Sequence, residues 1–161
     1  MKLPSVITSF NNPQIKNLTL LQRKAKARKE QGLFVIEGIK MLEEARDAGI
    51  LVKTYMSESF YEEKLNKGEF FKDLNYELIA DSVFGKVCDT ITPQGVIATV
   101  RKPEHELDVI LKDKDTFLLL LEDIRDPGNL GTIIRTAEGA GVSAIILNKG
   151  CADILQPKVV R

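Results

Sequence analysis

The stretch "RDPGNLGTIIRTAEGAG" (residues 125–141) decides how the second part of the chain folds. It follows "FLLLL" (117–121), an apolar run with the length of a buried strand, and Pro127 and Gly128 supply a turn. Asn129 stands where a helix N-cap belongs, and Gly141 ends the helix. Apolar residues recur at helical spacing between them and predict the face that packs on a sheet: Leu130, Ile133, Ile134, Ala137 and Ala140.

A second apolar segment, "VSAIIL" (142–147), completes a predicted strand–helix–strand unit. The loop before the helix then lies at the carboxyl end of the first strand, where open α/β sheets usually bind ligands. This edge is therefore the first place to look for a functional site.

Strand and helix patterns also alternate through residues 12–101. Helices are predicted over 12–31, 38–49, 57–68 and 81–89, with Gly32 and Gly49 as terminators and Asp81 or Ser82 as a cap. Strands are predicted over 33–36, 50–57, 76–80 and 95–101. The alternation predicts an α/β domain with a substantially parallel sheet over 1–101, a charged linker or edge helix over 102–115 that contains His105, and a second unit over 116–161.

Bulk composition narrows the class of protein. The 161 residues carry no net charge, with 43% hydrophobic and 29% charged residues, which is typical of a globular domain. No apolar run approaches a membrane span or a secretion signal, so we expect a cytoplasmic protein. Cys88 and Cys151 stand far apart with no histidine nearby, which favours free thiols and gives no sign of a metal site.

The basic residues are concentrated in one segment. Between Lys16 and Lys29 there are six basic residues and no acidic one, in "KNLTLLQRKAKARK". Two interpretations remain open: a solvated helix face, or a surface that contacts RNA phosphates.

Residue patterns alone leave several interpretations of the loop at 125–131 open. It lacks the glycine spacing of a dinucleotide fingerprint and the Gly-Lys-Ser/Thr ending of a Walker loop. Gly128 and Gly131 form a Gly-x-x-Gly pattern like that of KH modules, but two glycines are a weak signal. A plain strand-to-helix connection explains the turn and cap residues equally well.

The segment "DPGNLGTIIRTAEGAGVSAIILNKG" (126–150) closely resembles the first conserved motif of the SpoU/TrmH family of RNA ribose 2′-O-methyltransferases. "SFNNPQIKNLTLLQRKAKARKEQGLFVIEG" (9–38) and "DTITPQGVIATV" (89–100) resemble the family's substrate-binding domain, a ribosomal-protein-like α/β/α sandwich. "PKVVR" (157–161) resembles the next conserved stretch. The resemblance implies that the second unit is the first part of an α/β trefoil-knot domain, and that the chain is truncated before the cofactor-binding motifs.

The same resemblance implies a function. The family methylates a ribose 2′-hydroxyl with S-adenosylmethionine, and it acts as a homodimer when full length. The resemblance assigns Asn129 and Arg135 to the catalytic centre. Because arginine is a poor base, we expect Arg135 to bind a phosphate and stabilise developing alkoxide charge, with Glu122 or Asp123 as candidate proton acceptors.

The first domain favours ribosomal over transfer RNA as the substrate, with five phosphate contacts: Arg23, Lys24, Lys26, Arg28 and Lys29. The 161 residues alone are expected to be inactive, and their cofactor-binding residues are unknown. The alternatives are a non-catalytic RNA-binding protein, which leaves Asn129 and Arg135 without a purpose, and an α/β enzyme acting on a small molecule.

Overall fold

A computed structural model describes residues 5–65 and 68–161. The chain divides into two compact units, Met1–Lys102 and Pro103–Arg161. The segment predicted as a linker, 102–115, thus belongs almost entirely to the second unit.

The first unit is built on a five-stranded mixed sheet with the strand order β1-β4-β3-β5-β2. The strands are β1 (Val6–Ile7), β2 (Leu33–Glu37), β3 (Leu51–Ser57), β4 (Tyr76–Ile79) and β5 (Val96–Arg101). Strands β1, β4 and β3 are parallel, whereas β5 runs antiparallel to both β3 and β2. Four of these five strands therefore run in one direction and β5 runs in the other. The predicted substantially parallel sheet is correct except at β5, because hydrophobic periodicity identifies a strand without indicating its direction.

The helices of this unit are α1 (Pro13–Arg23), α2 (Ala25–Gln31), α3 (Ile39–Asp47), α4 (Glu58–Lys64) and α5 (Asp81–Val87), with a 3₁₀ helix at Gly68–Phe71. The single helix predicted over 12–31 is wrong, since Lys24 adopts extended backbone angles (φ −122°, ψ 110°) and separates α1 from α2. Both predicted glycine terminators are confirmed by left-handed backbone at Gly32 (φ +64°) and Gly49 (φ +68°).

Two helix boundaries differ from the prediction. Helix α4 ends at Lys64, and positions 66 and 67 of the predicted 57–68 helix lie outside the described residues. Helix α5 has Ala80 at its N-cap position, so neither Asp81 nor Ser82 caps it. Asp81 is instead the first helical residue, and its carboxylate bonds to a neighbouring helix.

The core of the first unit lies on both faces of the sheet. Alternate strand residues point to opposite faces, and Val35, Tyr55, Ile79 and Ile97 join one buried cluster with residues of α1, α2 and α5. Helices α3 and α4 pack on strands of the same sheet. The predicted layered α/β class is confirmed.

The second unit is a strand–helix–strand unit. It contains α6 (Leu107–Ile110), β6 (Leu118–Leu121), α7 (Pro127–Gly139), β7 (Ala144–Leu147) and α8 (Pro157–Val160), and β6 and β7 are parallel. Leu130 and Ala137 are buried as predicted, whereas Ala140 is exposed at the end of α7. His105 is exposed, as expected of a residue between ordered elements. Among the residues described, no helix has the length and apolar character needed to cross a membrane.

Candidate functional site

Helix α7 begins one turn earlier than predicted. Asp126 is its N-cap and its carboxylate accepts a hydrogen bond from the backbone N–H of Asn129 at 2.7 Å, while Pro127 occupies the first helical position. The prediction that Asn129 caps the helix is therefore wrong. The sequence did hold the signal, because a cap residue followed directly by proline is a common helix start.

The displaced cap changes what Asn129 can do. Its side chain is exposed, and the hydrogen bond recorded for Asn129 uses its backbone N–H. A carboxamide offers two donors and an acceptor. Since Asp126 performs the capping, the side chain of Asn129 is not needed to hold the helix and can face a ligand at the carboxyl edge of β6 and β7.

Arg135 lies two turns further along α7 and is also exposed. Its guanidinium donates to the carbonyl of Arg161 at 2.5 Å through Nη1 and to Thr132 Oγ1 at 3.4 Å through Nη2. These contacts turn the side chain back toward the helix N-terminus, as helical side chains prefer. The guanidinium therefore approaches the turn that carries Asn129, although no hydrogen bond joins these two side chains among the described residues.

Gly131 provides the space for this arrangement. A Cβ built on Gly131 would lie 3.0 Å from the carbonyl oxygen of Val159 and 3.2 Å from Nη1 of Arg135. Both distances are tight for a carbon atom, so the missing side chain allows the backbone of α8 and the guanidinium to pass close to α7.

A pair of side chains ties together the loops that follow β6 and β7. Asn148 Oδ1 accepts from the backbone N–H of Asp123 at 3.1 Å, and Asn148 Nδ2 donates to Asp123 Oδ1 at 3.2 Å. Asp123 holds left-handed backbone (φ +54°) and also pairs with Arg125 at 3.3 Å. Its carboxylate thus organises the edge of the site, which makes it a poorer candidate for proton transfer than the exposed Glu122.

In the first unit, four of the five predicted phosphate contacts form an exposed basic surface. This basic surface consists of Arg23, Lys24, Lys26 and Lys29, at the end of α1 and along α2. Lys26 makes a long ion pair with Glu30 (3.8 Å) in which both side chains remain largely exposed. Such a pair stabilises little and leaves the ammonium group accessible.

Arg28 does not belong to this surface. It is only 4% exposed, and its Nη1 donates to the carbonyls of Leu21 at 2.6 Å and Gln22 at 3.0 Å. The break at Lys24 leaves carbonyl groups at the end of α1 without helical partners, and Arg28 supplies the missing donors. The prediction that Arg28 contacts phosphate is therefore wrong, and Arg28 instead stabilises the end of α1.

We expect Arg28→Leu to lower the free energy of unfolding by about 2–3 kcal/mol, because the variant leaves buried carbonyls unpaired. Urea denaturation followed by circular dichroism measures the change. Lys29→Leu is the matched control, since the neighbouring lysine is exposed and should shift stability by less than about 0.5 kcal/mol. Equal effects of the two substitutions would contradict the structural role of Arg28.

Two side chains inside the first unit, Cys88 and Tyr55, have raised pKa values. Burial, and then the charge of Glu37, raise the pKa of the Cys88 thiol well above its usual range. Burial and Glu77 likewise raise the pKa of Tyr55 to about 12. Both groups therefore stay protonated near neutral pH, and Cys88 cannot act as a thiolate nucleophile.

Both cysteines are free thiols, as predicted. Within residues 5–65 and 68–161, no three histidine, cysteine, aspartate or glutamate side chains come together as metal ligands would.

Two family models match the chain. Residues 12–98 match the MRM3-like substrate binding domain, and residues 116–161 match the SpoU rRNA Methylase family. The mitochondrial rRNA methyltransferase 3 of Xenopus laevis is 36% identical over 160 residues, covering 92% of this chain and 36% of that protein. The 23S rRNA (guanosine(2553)-2′-O)-methyltransferase RlmP of Bacillus subtilis is 33% identical over 155 residues, covering 96% of this chain and 59% of its own length.

Solved structures agree with these matches. The AdoMet-bound rRNA methyltransferase of Sinorhizobium meliloti superposes with a TM-score of 0.79 at 30% identity, covering 98% of this chain and 59% of that one. The chain thus spans roughly a third to three fifths of the length of these relatives. The superposition supports the α/β fold class across both units.

Proposed function

Because the chain belongs to the SpoU family of rRNA methylases and carries an MRM3-like substrate-binding domain, we propose that the whole protein methylates a ribose 2′-hydroxyl of ribosomal RNA. S-adenosylmethionine is the proposed methyl donor. The first unit supplies RNA binding, and the second begins the catalytic domain. The observation that carries the proposal is the exposure of Asn129 on the first turn of α7 and of Arg135 about two turns further, with the Arg135 guanidinium directed back to Thr132.

The second unit has side chains that suit one side of a ribose-methylating site. Helix α7 exposes the carboxamide of Asn129 and the guanidinium of Arg135, which are polar groups suited to a ribose and a phosphate. When bound, S-adenosylmethionine supplies an electrophilic methyl group on a sulfonium. No residue of the chain is assigned to hold it.

Arg135 acts in this proposal through charge and geometry. Its side chain remains protonated at any working pH, so it cannot remove the proton of the 2′-hydroxyl. Its planar fork can bind the adjacent phosphate through two hydrogen bonds and stabilise the negative charge that develops on the 2′ oxygen. Asn129 positions the ribose from the neighbouring turn, and the exposed Glu122 is the candidate acceptor of the proton.

Methyl transfer to RNA tests the proposal directly. The whole protein is incubated with ribosomal RNA and tritiated S-adenosylmethionine, and the product is hydrolysed in alkali. A methylated 2′ oxygen blocks alkaline cleavage at that nucleotide, so we expect the label in alkali-resistant dinucleotides. Label in mononucleotides would show methylation elsewhere, whereas RNA binding without transfer would favour the non-catalytic alternative. Absence of RNA binding would favour the alternative of an α/β enzyme that acts on a small molecule.

The basic surface gives a second test of the function. We expect the quadruple variant Arg23→Gln, Lys24→Gln, Lys26→Gln and Lys29→Gln to bind RNA more weakly and with a flatter salt dependence. Each lost phosphate contact removes about 0.7–0.9 from the slope of log affinity against log salt. The slope should therefore fall by about 3 if all four residues contact phosphates.

The control for that experiment is Lys40→Gln. Lys40 is an exposed lysine on α3 that pairs with Glu44 at 3.8 Å, and it is not part of the basic surface. Its replacement should leave the salt slope unchanged. An unchanged slope in the quadruple variant would instead identify the basic surface as a solvated helix face.

We further propose that the whole protein is a cytoplasmic homodimer. The bacterial relative supports the cytoplasmic location, whereas the frog relative is named as mitochondrial. Light scattering of the whole protein measures its oligomeric state, and a monomeric mass would refute the dimer.

A further inference from the structure

The hydroxyl of Thr132 lies one helical turn before Arg135, on the same side of α7. Arg135 Nη2 donates to Thr132 Oγ1 at 3.4 Å, and both side chains are exposed. An exposed arginine has many rotamers, and a contact that restricts them decides where its N–H groups point. Because the distance is long for a hydrogen bond, the contact can orient Arg135 only if the hydroxyl is itself held in place.

A second hydrogen bond holds that hydroxyl. Thr132 Oγ1 donates to the backbone carbonyl of Gly128 at 3.0 Å, one turn earlier in the helix. A hydroxyl has only one hydrogen to donate, and this bond uses it. Thr132 Oγ1 therefore presents lone pairs alone toward Arg135, which suits a guanidinium that is always protonated.

The other terminal nitrogen of Arg135 is held by the backbone. Nη1 donates to the carbonyl of Arg161 at 2.5 Å, so the guanidinium is fixed at both of its terminal nitrogens. Each of these nitrogens carries a second N–H, which has no hydrogen-bond partner within residues 5–65 and 68–161. These remaining N–H groups are available to a phosphate, in an orientation that is set before the phosphate arrives.

We propose that Thr132 is a positioning residue for Arg135, an inference that rests on the proposed methyl transfer to RNA. The Thr132 hydroxyl holds the planar fork in the orientation that it needs when negative charge develops on the 2′ oxygen. Stabilisation of such charge depends on donors that are already oriented. Loss of the hydroxyl should therefore slow methyl transfer more than it weakens RNA binding.

Single-turnover methyl transfer by the whole protein, with ribosomal RNA and tritiated S-adenosylmethionine, tests this role. Thr132→Val removes the hydroxyl and nearly keeps the shape of the side chain. We expect it to lower the rate by about fivefold, the effect of losing one ordinary hydrogen bond. Thr132→Ser keeps the hydroxyl and should stay within about twofold of the wild-type rate. Fluorescence anisotropy with labelled RNA should show affinities within about twofold of wild type for both variants.

Thr136→Val is the matched control. Thr136 is also exposed on α7, and its hydroxyl donates to the carbonyl of Thr132 at 2.9 Å, the same kind of bond that Thr132 makes to Gly128. In the part of the chain that the structure describes, the Thr136 side chain makes no hydrogen bond to Arg135. Its replacement should keep the rate within about twofold of wild type. An equal loss in both valine variants would trace the effect to the helix backbone and overturn the inference.

A double substitution separates an effect on Arg135 from an effect on the start of α7. An Arg135→Met variant has no guanidinium to hold, so adding Thr132→Val should lower its rate by less than about twofold. A further loss as large as that in the wild-type background overturns the inference, as does a wild-type rate in Thr132→Val. In these outcomes the wild-type protein still transfers the methyl group, and the proposed function survives. If the wild-type protein transfers no methyl group to RNA, the proposed function fails together with this inference.

Discussion

Arg135→Lys in the whole protein is expected to lower kcat by about a hundredfold, the loss typical of removing one donor that stabilises developing oxyanion charge. Lysine retains the positive charge but lacks the planar fork that binds phosphate through two hydrogen bonds. The affinity for RNA should change little, because the proposed phosphate contacts of the basic surface outnumber the one proposed for Arg135. Single-turnover methyl transfer and anisotropy together separate the two effects.

Arg125→Lys serves as the control for this substitution. Arg125 is an exposed arginine that precedes the same helix, and its ion pair with Asp123 (3.3 Å) is preserved by lysine. It should retain wild-type turnover. Both arginines are exposed, so neither variant should lose more than about 0.5 kcal/mol of stability. Near-full turnover in Arg135→Lys would contradict the bidentate role.

Gly95→Ala is expected to lower the free energy of unfolding of the first unit by about 2–5 kcal/mol. Left-handed backbone (φ +82°) disfavours any residue with a side chain by about 1–2 kcal/mol. The new Cβ would also lie 2.5 Å from Cβ of Phe60, and overpacking of this kind costs about 1–3 kcal/mol more. Urea denaturation measures the change, and the midpoint should fall while the slope stays the same.

The control for Gly95 is a glycine in a different setting. Gly85 lies within α5, and a Cβ at this position would meet no atom within 4 Å. Gly85→Ala should therefore raise stability by about 0.5–1 kcal/mol through the better helix propensity of alanine. The two glycine substitutions thus have opposite expected signs. If Gly95→Ala were as stable as the wild-type protein, the loop before β5 would not be held against Phe60.

Local signals in the sequence were sufficient for much of the fold. Gly32 and Gly49 end their helices as predicted, because left-handed backbone at a helix end is a property of the glycine itself. The face of α7 that carries Leu130 and Ala137 follows from helical spacing. The segment 126–150 also identified the family, and the family matches confirm that identification.

Local signals gave the wrong role for residues whose role depends on a neighbouring residue. Asn129 and Asp126 are both good caps in isolation, and the position of Pro127 decides between them. In the sequence Arg28 is one of several cations in a basic segment. In the structure the break at Lys24 leaves carbonyl groups without helical partners, and Arg28 donates hydrogen bonds to them. Burial then separates it from the exposed cations on either side.

The sequence by itself determined the α/β class, most of the helices and strands, and the family, because each depends on residues close together in the chain. The catalytic roles of Asn129 and Arg135 stay a prediction that the family resemblance implies. The tertiary structure alone decided the reversed direction of β5 and a cleft in the first unit. Ser59, Asp81 and Gln94 come from three separate segments, and they line one cleft because the sheet brings the ends of β3 and β4 and the start of β5 together. Periodicity and spacing report local geometry, whereas such a cleft is created by contacts between distant segments.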